Sequence, residues 1–314
     1  MIDRKELDRL QALVDHFEER KNRARQRLES VDGRWWCFAL LGFAMEPKDY
    51  VVQDLLTIRP VVEPPGEVEL ASALKAPAYF STIARYSHGI QYELAVNSSF
   101  GSEHGPFTLA WWIVSAIRVR TLSEILVPVV ADLPWSAIAA APPQSVHAQV
   151  LEDVPAAFFL DPPVRVLGAD LDWVFTNLTR FATLLETPSF RLAVESLTTH
   201  HHQSNLRMMT VAVWAGIEAL FQIQAELRFR LSVSIAVCLE PPGEERLHLF
   251  QDLKRRYDFR SRAVHGAPVL DEDLRAHVRF MRSVLARLLS KTTEKGIMVS
   301  TDEIEQALLV GNGA

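Results

Sequence analysis

Arg260 and His265 are separated by four residues in the run Arg260-Ser261-Arg262-Ala263-Val264-His265, which passes at once into Gly266 and then Pro268. An arginine presents a planar fork of donors suited to an anionic group, and a histidine side chain, with an ordinary pKa of about 6.5, moves protons near neutral pH. The two residue types together could stabilise a developing negative charge and carry out general acid–base transfer. The spacing alone is weak evidence in a chain with ten histidines and 33 lysines plus arginines. Its meaning depends on the elements that hold it.

The first of these is a helix expected from Glu244 to His265. At about 100° per residue, Leu249, Phe250, Leu253, Tyr257 and Val264 form one apolar arc, and Arg260 falls inside it. A charge on the buried side of a helix needs a partner, because an unpaired buried charge is costly. A second helix, expected from Asn205 to Phe229, offers one: Glu218 sits in the middle of the face made by Val211, Trp214, Ile217, Phe221 and Ala225. The pattern predicts a Glu218–Arg260 pair, with the glutamate orienting the guanidinium. The plain alternative is an ion pair that stabilises the fold and does no chemistry. His265 lies about 140° around the axis from Arg260 and about 7.5 Å further along it. One copy so splayed is poorly shaped to surround a single phosphate, whereas a twofold dimer would bring two copies together.

From Arg246 to Arg262 there are six basic residues against two acidic ones, a local positive run in a chain of net charge -6. Such a run can track a phosphate backbone, and Arg256, Ser261 and Arg262 are the candidate substrate contacts. An exposed basic helix face without a ligand is the plain alternative.

The rest of the chain reads as an α+β fold. Residues 1–160 form a mixed α+β region that would bind substrate, sense a trigger or regulate, and residues 161–314 form an all-α bundle. In the first part, residues 3–30 read as an amphipathic helix with Leu7, Leu10, Val14 and Phe17 at helical spacing and a second half that is solvated or reaches a partner. Strands are expected in Arg34–Met45, Tyr50–Val62, Ile90–Asn97, Ile125–Ala131 and Gln149–Leu160, with a buried helix over Leu109–Arg120. After Asp161-Pro162-Pro163, further helices are expected over Leu167–Leu185, Ser189–Thr199, Leu231–Leu239 and Asp271–Leu289, the last capped by Asp271, with a short one at Thr301–Leu309.

Other chemistry is set aside by composition and spacing. Cys37 and Cys238 are far apart and read as two buried thiols. His200-His201-His202 has no acidic or thiol partner at metal-ligand spacing and reads as a solvated turn, so no metal site is expected. His248 and His277 read as surface or boundary residues. Trp35-Trp36 and Trp111-Trp112, which could be stacking platforms, are expected in the core. The charged start Met1-Ile2-Asp3-Arg4-Lys5-Glu6 is unlike a secretory leader, and the apolar run Phe107–Ile117 is too short to span a bilayer. The expectation is a soluble, cytoplasmic chain without a membrane partner.

Two blocks, Trp214-Ala215-Gly216-Ile217-Glu218-Ala219-Leu220-Phe221 and Leu253-Lys254-Arg255-Arg256-Tyr257-Asp258-Phe259 running on through Arg260 to Gly266, resemble the HEPN superfamily and, more narrowly, its ApeA-like group. The resemblance covers roughly residues 165 to 290. It implies a helical bundle that dimerises and, in active members, cleaves RNA without metal or other cofactor. Arg260 and His265 would be the two residues of the family's R-x4-6-H motif, with Glu218 supporting them. Ser261 stands where many members carry Asn, Asp or His. Several relatives act as toxins or in defence against phage, which makes an antitoxin or trigger protein a further expected partner. The contrasting reading is a non-catalytic HEPN dimer that binds RNA, nucleotide or protein.

Overall fold

The computed structural model describes residues 4–31, 33–52, 55–75, 79–99, 104–153, 160–223 and 225–310. The fold is α+β, with a sheet-bearing N-terminal part followed by a helical part. The chain divides into two compact units, residues 1–111, 125–154 and 165–168 in one and residues 112–124, 155–164 and 169–314 in the other. Residues 112–124, which precede Asp161-Pro162-Pro163, thus belong to the helical unit.

In the first unit, α1 (Arg4–Glu29) is followed by β1 (Trp35–Leu40), β2 (Ala44–Met45), β3 (Tyr50–Val52), β4 (Leu56–Pro60), α2 (Glu67–Ala73), α3 (Phe80–Ser87) and β5 (Tyr92–Asn97). Helix α4 (Gly105–Thr121), of which residues 112–121 belong to the other unit, is followed by β6 (Val129–Ala131), a 3-10 turn at Trp135–Ala140, β7 (Ala148–Val150) and β8 (Arg165–Val166). Six strands form one sheet in the order β3-β4-β5-β1-β6-β7, with every neighbouring pair antiparallel. β2 and β8 pair separately, in parallel. The central strand β1 is rich in aromatic and apolar residues because both of its faces are covered. Cys37 and Ala39 point into a core with Leu70, Ile83, Trp135 and Ile138, and Phe38 on the other face meets Phe107 edge to face at 5.3 Å.

Each of the first four expected strand runs is broader than the strand or strands it contains, and α2, α3 and the Trp135–Ala140 turn arise where no element was expected. The last expected run, Gln149–Leu160, extends over residues outside the described ones. Trp35 and Trp36 are partly buried, and Trp36 packs on Phe107 at 4.9 Å.

The second half of α1 is solvated on one side, with Glu18, Glu19, Lys21, Asn22, Arg25 and Gln26 exposed, and docked on the other. On the docked side Ala24 is buried, Arg23 grips Glu63 through Nε at 3.0 Å, Arg20 reaches Glu69 at 3.1 Å, and Arg27 reaches Glu63 at 3.1 Å. Val14 and Phe17 are instead 53% and 55% exposed. Charge complementarity with the segment after β4 outweighs the apolar pattern. The side chains of Leu7 and Leu10 lie outside the described residues.

The second unit contains α5 (Gly168–Leu185), α6 (Pro188–Thr198), a 3-10 turn at His200–His202, α7 (Leu206–Phe221), α8 (Leu227–Leu239), α9 (Glu244–Val264), α10 (Asp271–Lys295) and α11 (Thr301–Val310). α7 packs on α6, α10 and α9, and α8 packs on α9. Gly216 allows the close approach, since a Cβ there would meet Ser196 Cβ at 2.7 Å and Leu285 Cδ2 at 3.0 Å. The single helix expected from Asn205 to Phe229 is two helices, broken where Gln222 and Glu226 both take the left-handed conformation. Asp271 is not a cap: Leu270 occupies the cap position, and Asp271 lies in the first turn, where its charge favours the helix N-terminus.

Two expectations about histidines are overturned. His200 and His201 are buried, and His200 Nε2 donates to Glu124 Oε1 at 3.0 Å. The same Glu124 oxygen stands 3.1 Å from Arg282, which also reaches Asp161 at 3.2 Å. His277 is also buried rather than at the surface, while His248 is exposed. The partner of His200 lies 76 residues away, beyond the reach of any local pattern. No helix among the described residues is long and apolar enough to cross a membrane.

Candidate functional site

The site is built on α9. Glu244 and Glu245 in its first turn complement the helix dipole, and the helix ends at His265, whose backbone (φ -83°, ψ 15°) leaves the helical region. Gly266 follows at φ 84°, the left-handed conformation that closes a helix and that glycine adopts without strain. His265 therefore emerges at the helix end with its side chain exposed, and its own N–H bonds back to Ser261 O at 3.1 Å.

What holds that end in place is Arg207, in the first turn of α7. Its guanidinium donates to the carbonyl of Ala263 and, through Nη2, to that of Ala267 at 2.9 Å. Asn205 caps α7 by accepting from Met208 N–H at 3.0 Å. Sequence reasoning missed Arg207, although a signal was present: a cation in the first turn of a helix opposes the dipole and calls for a partner elsewhere.

Arg260 lies on the side of α9 that faces α7. Its Nη2 is 3.2 Å from Glu218 Oε1, with side chains 23% and 27% exposed. The expected pair is formed, but both members are half-buried, because α9 buries only Leu253 and Ala263 outright and leaves Val264 exposed. Among the described residues, Arg260 Nε and Glu218 Oε1 are buried without a hydrogen bond, so the contact is a Coulombic one and not a directed fork. The arginine's Cζ also sits 5.6 Å from the Tyr257 ring centroid.

An aromatic wall fixes the register between the two sequence blocks. Tyr257 meets Trp214 edge to face at 5.4 Å, and Phe259 stacks on His277 at 4.8 Å. Trp214 in turn donates its indole N–H to His277 Nε2 at 2.9 Å. Burial, with Arg256 nearby, lowers the His277 pKa to about 4, opposed only in part by Asp252.

The candidate substrate contacts divide. Arg256 is committed within the fold: Nε binds Asp252 at 2.9 Å, and the guanidinium lies 3.7 Å over Phe280. Arg262 is exposed, 5.9 Å from the Phe259 ring, and Ser261 is partly buried. Beside this surface, between α8 and α9, is a groove of about 630 Å³ whose lining includes Arg228, Phe229, Lys254 and Tyr257; neither Arg260 nor His265 lines it. The structure thus joins Arg260 to Glu218, places His265 at the end of the same helix, and ties Arg256 elsewhere. No group of three metal-ligating side chains occurs among the described residues.

No family model, no curated protein and no solved structure matches this chain.

Proposed function

We propose that the chain is a metal-independent endoribonuclease that works as a homodimer. Arg260 and His265 are its catalytic residues, and Glu218 positions the arginine. One observation carries the reading: a half-buried arginine held 3.2 Å from a glutamate, five residues before an exposed histidine at a closed helix end. The resemblance of the two sequence blocks to HEPN ribonucleases supplies the reaction class.

In the reaction, the 2′-hydroxyl loses its proton to a histidine as its oxygen bonds to phosphorus. The bond from phosphorus to the 5′-oxygen breaks, and a histidine returns a proton to that leaving oxygen. The products are a 2′,3′-cyclic phosphate and a 5′-hydroxyl. Arg260 stabilises the charge that builds on the phosphorane. The angular separation of Arg260 and His265 on one helix favours a composite site in which two protomers each contribute a pair. An antitoxin or trigger protein that controls such an activity belongs to the same proposal, as does a role in defence against phage.

The test is to incubate the purified chain with mixed cellular RNA in EDTA, beside Arg260→Ala and His265→Ala. Cleavage to cyclic-phosphate ends that either substitution abolishes is expected. Cleavage that requires divalent metal, or that survives both substitutions, rejects the mechanism. Absence of cleavage across many RNAs selects a non-catalytic RNA-, nucleotide- or protein-binding dimer instead.

A further inference from the structure

A second candidate site lies wholly within the N-terminal unit, in a cavity of about 340 Å³ bordered by Arg27, Trp35, Arg59, Val62, Glu93 and Ser136. That size falls toward the small end of ligand pockets, which run from roughly 300 to 1,000 Å³. Its floor is a preorganised arginine. Arg59 gives its Nε to Glu93 Oε1 at 2.7 Å, and the other Glu93 oxygen accepts the Trp135 N–H at 2.8 Å. Glu93 is nearly sealed from solvent at 2% exposed, whereas Arg59 is 38% exposed. The carboxylate is therefore fully used in orienting the guanidinium, and the guanidinium is the member of the pair that solvent or a ligand reaches.

Charge and shape narrow the ligand. Among the described residues that border the cavity, Arg27 and Arg59 exceed Glu93 by one positive charge; Glu63, outside the lining, is shared between Arg27 and Arg23, and Arg23 also faces Glu19 at 3.7 Å. A single negative charge completes the set. The apolar wall is supplied by Trp35, with Val62 at the mouth. An indole edge or face is a surface for another planar ring.

We propose that this cavity binds a small aromatic monoanion, with its carboxylate or phosphodiester against Arg59 and its ring against Trp35. The site is independent of Arg260 and His265, so it stands or falls apart from the ribonuclease reading. It gives the N-terminal unit a small-molecule ligand of defined chemistry.

The experiment is direct titration of the full chain, followed by calorimetry and tryptophan fluorescence. The probes are adenosine 3′,5′-cyclic monophosphate and indole-3-acetate as ring-bearing monoanions, with inorganic phosphate and adenosine as the controls lacking ring or charge. Saturable binding of one or both monoanions is expected, with neither control binding at the same concentration; which of the two binds tells phosphodiester from carboxylate. Arg59→Gln should weaken it by at least about tenfold, the scale of a charge-assisted hydrogen bond. Because Arg59 also partners buried Glu93, Val62→Glu serves as the second variant. Val62 is 49% exposed, so the change adds a negative charge at the mouth without removing a buried contact, and it too should weaken binding about tenfold. Arg260→Ala should bind like the wild type. No binding of either monoanion up to about 1 mM, or binding that Val62→Glu leaves unchanged, overturns the proposal.

Discussion

Trp214 donates its indole N–H to Nε2 of His277, 2.9 Å away and 63 residues later in the chain. An imidazole nitrogen that accepts cannot also carry a proton, so His277 is neutral in the fold, with its proton on Nδ1. Nδ1 is itself buried without a hydrogen bond among the described residues. Protonating the ring would break the Trp214 contact and place a charge beneath Phe259 and beside Arg256.

This gives a pH dependence with a definite sign. The folded pKa of about 4 lies below the unfolded value of about 6.5, so the unfolded state binds the proton first as pH falls. Stability from this residue is complete above pH about 6.5, declines between 6.5 and 4, and levels off below 4, a loss of roughly 3 kcal/mol. Urea unfolding at pH 7, 5.5 and 4.5 measures it. His277→Gln, which keeps an acceptor for Trp214 but does not titrate, should flatten the profile across that window.

The Glu218–Arg260 pair is half-buried, so solvent screens it and its removal costs about 1 kcal/mol or less. Glu218→Gln should lower the melting temperature by a few degrees at most. On the ribonuclease proposal it should lower RNA cleavage more than stability, because a loosely held guanidinium spends less time in the productive orientation. In an Arg260→Ala background the same change should cost no further stability, which a double-mutant cycle by urea unfolding reads directly.

Gly216→Ala should cost about 1–3 kcal/mol, the range for overpacking a filled interior. The added methyl would lie 2.7 Å from Ser196 Cβ. Combining it with Ser196→Gly removes that clash and should recover part of the loss; chemical denaturation of the four proteins in the cycle checks this.

Arg282 is almost fully buried between Glu124 and Asp161 and donates to Leu122 O at 3.0 Å. Arg282→Met fills similar space but leaves the buried Glu124 without its arginine, while Asp161 keeps Arg279 at 2.7 Å, so a loss of about 3–5 kcal/mol is expected by thermal or urea unfolding. Adding Glu124→Gln should restore part of it, since the fully buried charge is then gone.

The helical half was readable from sequence because its apolar residues recur at helical spacing and its ends carry glycine and proline. Helix α9 came within one residue of its expected end because His265-Gly266 is a local stop signal. Glu218 facing Arg260 was also legible, since a charge within an apolar face is a local anomaly. The break at Gln222 and Glu226 was not. Two left-handed residues that are not glycine carry no sequence mark. The burial of His200 and His277 escaped for the same reason: their partners, Glu124 and Trp214, lie 76 and 63 residues away. Arg256 looked like a free basic residue because stacking on Phe280 depends on how α9 meets α10, which no single-helix wheel contains.

The Arg207 clamp has a dynamic consequence. Helix ends normally fray on their own, each opening with little free energy. Here carbonyls at and just beyond the end of α9 are held by a side chain 56 residues earlier, so the final turn bearing His265 opens only by also breaking the Arg207 contacts. Amide exchange in Ala263, Val264 and His265 should therefore be slower than at a free terminus, and Arg207→Ala should raise it.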